Sequence, residues 1–457
     1  MQSNYIQKRT FTEAFVSFLH HETFSGVLLL LCALMAMFIA NSPFGHYYFE
    51  LWETPVGFSV GGHFIGFSLH HFINDILMAL FFVVVGLEIK REVLFGELNS
   101  FAKAAFPVVG AVGGMLAPGA IYALLNAGTP SISGFGVPMA TDIAFALGVI
   151  LLLGKSVPVA LKVFLVTLAV ADDLGAILVI ALFYPSAEGL NFAWLFGAAG
   201  VTFVLILLNR FGVRALRAYI TLGVLLWVCV HFSGIHATIS AVILAFTIPV
   251  TPKDDGAQYD EIVGALSKKF ATSNKERKNA LLNSEQVEVL EKIIKLSTIS
   301  QNPNLRLEHA LAPLTTYFVM PLFAFANAGV AFGGNFDFGI DEIFLGIFLG
   351  LVVGKPLGIT LLTFIAEKVG FAARPSGVSW AHIFGAGMLG GIGFTMSIFV
   401  ANLAYTEPAA VDLAKISVLI ASLCAGIFGA FYLSVLSKKR SNSNLTTNQT
   451  QNSQPAE

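Results

Sequence analysis

The sequence predicts an all-α polytopic membrane protein with twelve transmembrane helices, and three observations carry that prediction. Only 12% of the 457 residues are charged and 56% are hydrophobic, where a soluble domain carries about 25% charged residues. Apolar runs close to the roughly 20 residues that a bilayer core demands recur along the chain. Basic residues fall almost wholly in every second connection between those runs. The formal net charge of −2 decides nothing about partners, because placement and not the sum is informative here.

The first run, 23–41, lacks a small-residue cleavage site and is followed by many more, so it reads as a retained helix rather than a signal peptide. Residues 44–70 then alternate in part and are rich in glycine (Trp52, Val56, Phe58, Val60, Phe64, Ile65, Phe67), the pattern of a short hairpin at the membrane surface. Further runs lie at 72–95, 102–125, 130–153, 158–183, 192–209, 213–231, 234–250, 310–332, 342–364, 379–403 and 411–436. Twelve spans place both termini on one side.

Lys90, Arg91, Lys103, Lys155, Lys162, Arg210, Arg214, Arg217, a basic cluster from Lys253 to Arg306, Lys368 and Arg374 occupy one set of connections. Lys8 and Arg9 before the first span, and Lys438, Lys439 and Arg440 after the last, belong to the same set. The alternate connections hold no Lys or Arg; mid-span Lys355 and Lys415, at the start of the last helix, stand apart. The positive-inside rule then makes both termini cytoplasmic.

Residues 251–307, polar and with an amphipathic stretch around Val287–Leu296, read as a cytoplasmic insertion between spans 8 and 9. Residues 441–457 are rich in Ser, Asn, Gln and Thr and read as a disordered tail, leaving 1–440 as one transmembrane domain. Cys32, Cys229 and Cys424 sit in apolar runs without ligand spacing, as small core residues and not a disulfide or metal framework.

An internal repeat points to the working part. Shifted by 249 residues, Phe135-Gly-Val-Pro-Met-Ala-Thr-Asp-Ile-Ala-Phe-Ala-Leu147 overlies Phe384-Gly-Ala-Gly-Met-Leu-Gly-Gly-Ile-Gly-Phe-Thr-Met396, with five of thirteen positions identical. The same shift lays Pro107 over Pro356. Spans 3–5 therefore answer to spans 10–12, and seven spans of separation invert one copy relative to the other. Both matched segments carry mid-span helix breakers: Pro138 in one, and Gly385, Gly387, Gly390, Gly391 and Gly393 in the other. Interrupted helices in corresponding positions are the sequence pointer to a transport site. The backbone groups and dipole ends they free need a cavity, a neighbouring segment or a compensating charge. Asp142 stands beside the first break, where an anion meets helix N-termini, and Lys355 is placed to meet C-termini.

Charges inside the membrane are the second pointer, since each costs about 2.5–3.5 kcal/mol at a helix centre on insertion scales. They are Asp142, Asp172, Asp173, Lys355 and, nearer the cytoplasmic face, Glu88. A structural ion pair accounts for any one of them taken singly. Adjacent aspartates are different: neighbouring helical residues point about 100° apart, so one simple partner does not neutralise both. Mid-span in Val170-Ala-Asp-Asp-Leu-Gly175, they form a dense oxygen site of the kind hard cations prefer, with Thr141 or freed carbonyls as further oxygens. Such a site is either protonated or cation-loaded.

The chain resembles the NhaA-type bacterial sodium/proton antiporters. The matching pieces are Asn74-Asp75, Gly86-Leu-Glu-Ile-Lys-Arg-Glu92, Ala140-Thr-Asp-Ile-Ala-Phe145, Ala171-Asp-Asp-Leu-Gly175, Gly234-Ile-His-Ala-Thr238, Pro321-Leu-Phe-Ala-Phe-Ala-Asn-Ala-Gly329, Gly354-Lys-Pro356 and Gly391-Ile-Gly-Phe-Thr-Met396. The resemblance implies sodium or lithium exchanged for protons across a bacterial inner membrane, activation at alkaline pH and a homodimer. It implies neither a cofactor nor a nucleic-acid partner. It assigns Asp173 and Asp172 to the ion and the protons, sets Lys355 close to Asp172, and has Asp142 and Lys355 balance the dipoles of crossed spans 4 and 11. It carries a pH response over to Glu88, Arg91, Glu92, Glu308 and His236. An ordinary solvated helix end is the plain alternative for Glu88-Ile-Lys-Arg-Glu92, and a structural histidine the plain alternative for His236.

Two departures bear on the pH set-point: the long 251–307 insertion, and Leu305 where a basic residue is common, with Arg306 adjacent. Against this reading stand a potassium/proton exchanger, an intramembrane aspartyl protease and a cation channel. The protease needs two aspartates facing each other from separate helices, but glycine-rich span 11 has none. A channel needs a repeated carbonyl filter or a ring of acids, and neither is evident.

Overall fold

The computed structural model describes residues 22–60, 63–154, 157–185, 189–252, 259–273, 282–331 and 341–452. Lys8, Arg9, Lys155 and residues 253–258 and 274–281 of the insertion lie outside them, as do residues 453–457 of the tail. Helices dominate. In chain order they are α1 (Glu22–Ala40), α2 (Gly45–Glu53), α3 (Leu69–Phe95), α4 (Phe101–Leu125), α5 (Ile143–Leu152), α6 (Val159–Phe183), α7 (Phe192–Arg210), α8 (Leu216–His231) and α9 (Thr238–Thr247). There follow α10 (Tyr259–Thr272), α11 (Ser284–Ser300), α12 (Pro303–Asn327), α13 (Glu342–Val369), α14 (Trp380–Gly390), α15 (Phe394–Ala404) and α16 (Pro408–Asn452). A 3-10 segment, Pro130–Met139, precedes α5.

Among the described residues, eight helices are long and apolar enough to cross a membrane. The number is ten if two bent pairs count as one span each: α1 with α2 (112°) and α14 with α15 (51°). The runs expected as spans 7 and 8 form shorter apolar helices, α8 and α9. Gly212 (φ +72°) and Gly234 (φ +83°) take left-handed turns at their leading ends and shorten them. Large apolar side chains such as Phe38, Leu124, Phe196 and Phe431 face outward, while Thr, Asp and Lys lie inside. That inversion suits a hydrocarbon surround. The expected hairpin is present: β1 (Pro55–Val60) pairs antiparallel with β2 (His63–Ser68), Val56 opposite Phe67. The tail expected to be disordered has helical backbone as far as Asn452.

Contacts divide the chain into two units. The first comprises Met1–Phe81, Glu92–Ala187 and Leu314–Glu457. Within it α4 and α13 approach so closely at Gly113 and Gly358 that a Cβ on either would lie 2.2 or 2.1 Å from the other's carbonyl oxygen. Small residues at such crossings bring backbones together where apolar burial supplies no driving force. Wide π turns interrupt three helices, at Phe72–Leu77, Thr315–Val319 and Gly350–Gly354.

The second unit comprises Phe82–Arg91 and Glu188–Pro313. In it the Lys90 ammonium donates to the Phe246 carbonyl at 2.7 Å and to the Ile248 carbonyl, satisfying the end of α9. The amphipathic stretch of the insertion forms α11, closed at its start by a capping box of Asn283 and Gln286 and tied to α10 by Tyr259 and Ser297 at 2.8 Å. On the exposed face of α11, Lys292 sits 2.6 Å from Glu288 and holds its carboxyl below the usual carboxylate range.

Candidate functional site

The first unit contains two interrupted segments, and their breaks meet. One passes from the 3-10 segment through extended Ala140, Thr141 and Asp142 into α5. Pro138 explains the ending, since its ring and missing N–H do not continue a regular helix. The other passes from α14 through Gly391, Ile392 and Gly393 into α15. At the crossing, Asp142 N–H donates to the Ile392 carbonyl at 2.7 Å and the Thr141 hydroxyl donates to the Gly390 carbonyl at 2.8 Å. Gly391 is required there, because a Cβ would lie 2.3 Å from the Leu351 carbonyl oxygen.

Asp142 serves two helix starts. It is the N-cap of α5, one carboxylate oxygen accepting Phe145 N–H at 3.2 Å. Its other oxygen accepts Thr395 N–H at 3.2 Å and the Thr395 hydroxyl, in the first turn of α15. A buried carboxyl thus sits at the starts of two helices, where negative charge is favoured. Ser422 of α16 also caps α15, its hydroxyl accepting Gly393 and Phe394 N–H at 3.2 and 3.1 Å.

Lys355 is fully buried. It follows the π turn Gly350–Gly354, and its own N–H reaches back to the Gly350 carbonyl. Its ammonium donates to Asp172 Oδ2 at 2.6 Å and to Thr141 Oγ1 at 2.8 Å. From the sequence, Lys355 is expected near helix C-termini and, by resemblance, close to Asp172; the contact found is with Asp172. The lysine's side-chain bonds run to a carboxylate and a hydroxyl, and Thr141 carries the link onward to the C-terminal end of α14. A buried ammonium gains more from a charge-assisted bond than from a carbonyl dipole.

Asp172 and Asp173 lie in the middle of α6, 1% and 5% exposed. Only one oxygen of Asp172 is used by Lys355. The other, Oδ1, is buried and makes no hydrogen bond among the described residues. A buried carboxylate oxygen left unsatisfied costs about 1–3 kcal/mol. The result is a continuous chain: Asp172, Lys355, Thr141, the α14 carbonyl end, with Asp142 and Thr395 on its flank.

In the second unit, Arg91 joins Glu308 at 2.6 Å and reaches Glu88 at 3.9 Å. Glu92, counted with the first unit, accepts Glu97 N–H at 3.2 Å just beyond the end of α3. His236 Nδ1 lies 2.9 Å from the Thr238 hydroxyl, a local turn contact.

Sequence reasoning does not find Thr395, Ser422 or the amide cluster at Asn327. Thr395 has a readable signal, a hydroxyl at the start of a half-helix after Gly391-Ile-Gly393. The Asn327 cluster joins α12 to α3 and α15: Asn74 Oδ1 accepts Asn327 Nδ2 at 2.9 Å, Asn402 Nδ2 donates to Asn327 Oδ1 at 2.7 Å, and His70 Nε2 meets Asn327 Oδ1 at 3.1 Å.

The chain is similar to known proteins over nearly its whole length. The family profile described as Na+/H+ antiporter 1 matches residues 16–433. A curated relative from Helicobacter hepaticus, the Na(+)/H(+) antiporter NhaA 2, is 61% identical over 92% of this chain and 95% of its own length. The Na(+)/H(+) antiporter NhaA of Helicobacter pylori is 58% identical over 93% of this chain and 95% of its own. That of Wolinella succinogenes is 57% identical over 92% of each.

Proposed function

The chain belongs to the NhaA Na+/H+ antiporter family, and on that premise we propose that it exchanges sodium, or lithium, for protons at Asp172 and Asp173. The observation that carries this reading is the half-used carboxylate of Asp172. One oxygen accepts from Lys355 at 2.6 Å, and the other is buried and makes no hydrogen bond among the described residues.

A cation bound there takes oxygens from Asp173 and Asp172, with Thr141 at hand, and must displace the ammonium of Lys355 and any proton. A proton bound there restores neutrality. Only these discharged states move between faces, so the two ions compete for one site and cross in opposite directions. More than one proton per monovalent ion makes the cycle electrogenic. Asp142 holds the starts of α5 and α15 together through the cycle.

Eight long apolar helices, two bent pairs and two shorter apolar helices among the described residues support a reading of twelve spans. The inverted repeat is supported by the bond from Thr141 to the Gly390 carbonyl, which joins residues one repeat shift apart. We read the chain as a homodimer in a bacterial inner membrane with both termini cytoplasmic. Glu88, Arg91, Glu92, Glu308 and His236 form the pH response, the Arg91–Glu308 pair being its best-formed part.

The test is a pH-sensitive dye in everted vesicles with an acid interior. Sodium or lithium collapses the gradient, potassium does not, and Asp173→Asn abolishes the response. Equal responses to potassium would instead favour a potassium/proton exchanger.

A further inference from the structure

The 3-10 segment Pro130–Met139 is ten residues long. Such helices have poorer hydrogen-bond geometry and seldom exceed three or four residues. Gly134, Gly136 and Pro138 add no helical preference. Contacts from outside must hold this segment, and three buried phenols supply them.

Tyr184, just past α6, donates to the Ser133 carbonyl at 2.7 Å and accepts Gly136 N–H at 3.1 Å. Tyr122 of α4 donates to the Ser131 carbonyl at 2.9 Å, and its hydroxyl is bonded to that of Tyr405, just past α15. Ser133 Oγ donates to the Ala404 carbonyl at 2.9 Å. The glycines leave the space: a Cβ at Gly134 would lie 1.8 Å from the Tyr405 hydroxyl, and one at Gly136 2.6 Å from that of Tyr184.

The origin of each phenol matters. Tyr184 ends the helix that carries Asp172 and Asp173. Tyr405 ends the helix whose Thr395 bonds Asp142. Tyr122 belongs to the helix packed at Gly113 on α13, which carries Lys355. The 3-10 segment itself leads directly into Thr141 and Asp142.

We propose that Tyr122, Tyr184 and Tyr405 are positioning residues for the exchange site, holding the segment that ends in Thr141 and Asp142 in register with α4, α6 and α15. They touch no transported ion. Their hydroxyls set where Thr141 stands relative to Lys355, and so how readily the ammonium gives way to a cation. This rests on the exchange reading above.

The test measures sodium-driven gradient collapse by the full chain in everted vesicles, with protein amount and monodispersity checked in detergent. Tyr184→Phe leaves a buried N–H and a buried carbonyl without their partner, and raises the half-saturating sodium concentration about fivefold or more with the maximal rate kept. Tyr405→Phe gives a smaller rise, since Tyr122 keeps its bond to Ser131. Gly136→Ala also raises it, and adding Tyr184→Phe to Gly136→Ala recovers part of the loss, because the hydroxyl that the new methyl meets is gone. A purely structural role lowers protein amount at unchanged half-saturation. That result in Tyr184→Phe and Tyr405→Phe, or a double variant no better than Gly136→Ala, overturns the proposal. A wild type silent to sodium overturns the exchange reading instead.

Discussion

The two helix breaks occupy corresponding places in the sequence and are built from opposite materials. At 140–142 the break carries side chains: Thr141 links Lys355 to the end of α14, and Asp142 binds the starts of α5 and α15. At 391–393 two of the three residues are glycine, and the break offers backbone and room, with the Leu351 carbonyl against Gly391. One break supplies the polar groups and the other makes the close approach possible. Two breaks that meet need not be chemically alike to build one site.

The largest effect on this contrast is expected from Asp142→Ala. It removes an N-cap, a charge at two dipole ends and the acceptor of Thr395, together about 3 kcal/mol or more. Thermal unfolding in detergent should fall by several degrees with exchange lost, whereas Asp142→Asn keeps most of the stability. A stable Asp142→Ala would break the claim that the first break works through its side chains.

Gly391→Ala comes next, because its methyl meets main chain at 2.3 Å and no side-chain movement relieves it. Gly393→Ala sharpens the same point: its methyl meets first the Ser397 hydroxyl at 2.1 Å, so Gly393→Ala/Ser397→Ala should regain part of the activity that Gly393→Ala loses. Equal damage from both glycines with no rescue would say that the second break is not a matter of room.

A charge change outside the breaks should act differently. Arg91→Ala removes the cation beside Glu308 and Glu88; it should alter the pH dependence of exchange and lower the thermal stability in detergent, since Glu308 is buried and loses a charge-assisted bond. The smallest effect is expected from Lys292→Ala on the exposed face of α11, which should leave rate, half-saturation and pH dependence as in the wild type.

Much of this was legible in the chain. Asp172, Asp173 and Lys355 are visible because charge in an apolar run is costly, and the breaks because Pro138 and the glycines at 391 and 393 interrupt otherwise continuous helices. The hairpin at 55–68 is visible from alternation. The lengths of α8 and α9 are not, since hydropathy does not reveal that Gly212 and Gly234 turn the backbone. Nor are Thr395, Ser422 and the tyrosine clamp, whose partners lie on other segments. A hydroxyl in an apolar helix looks the same whether it caps a neighbour or its own preceding turn, as Thr167 does with Val163. Lys355 marks the boundary: its charge in an apolar run makes it readable, whereas its nearness to Asp172 comes from the family resemblance, because pairing depends on which segments the fold brings within 3 Å.

The central claim is that cation and proton compete for the Asp172–Asp173 pair, and proton release from purified protein tests it most directly. In weakly buffered detergent solution near the alkaline end of activity, adding sodium should acidify the medium in a saturable way, and potassium should not. Asp172→Asn/Asp173→Asn should release nothing. Undiminished sodium-dependent proton release from that double variant would contradict the account.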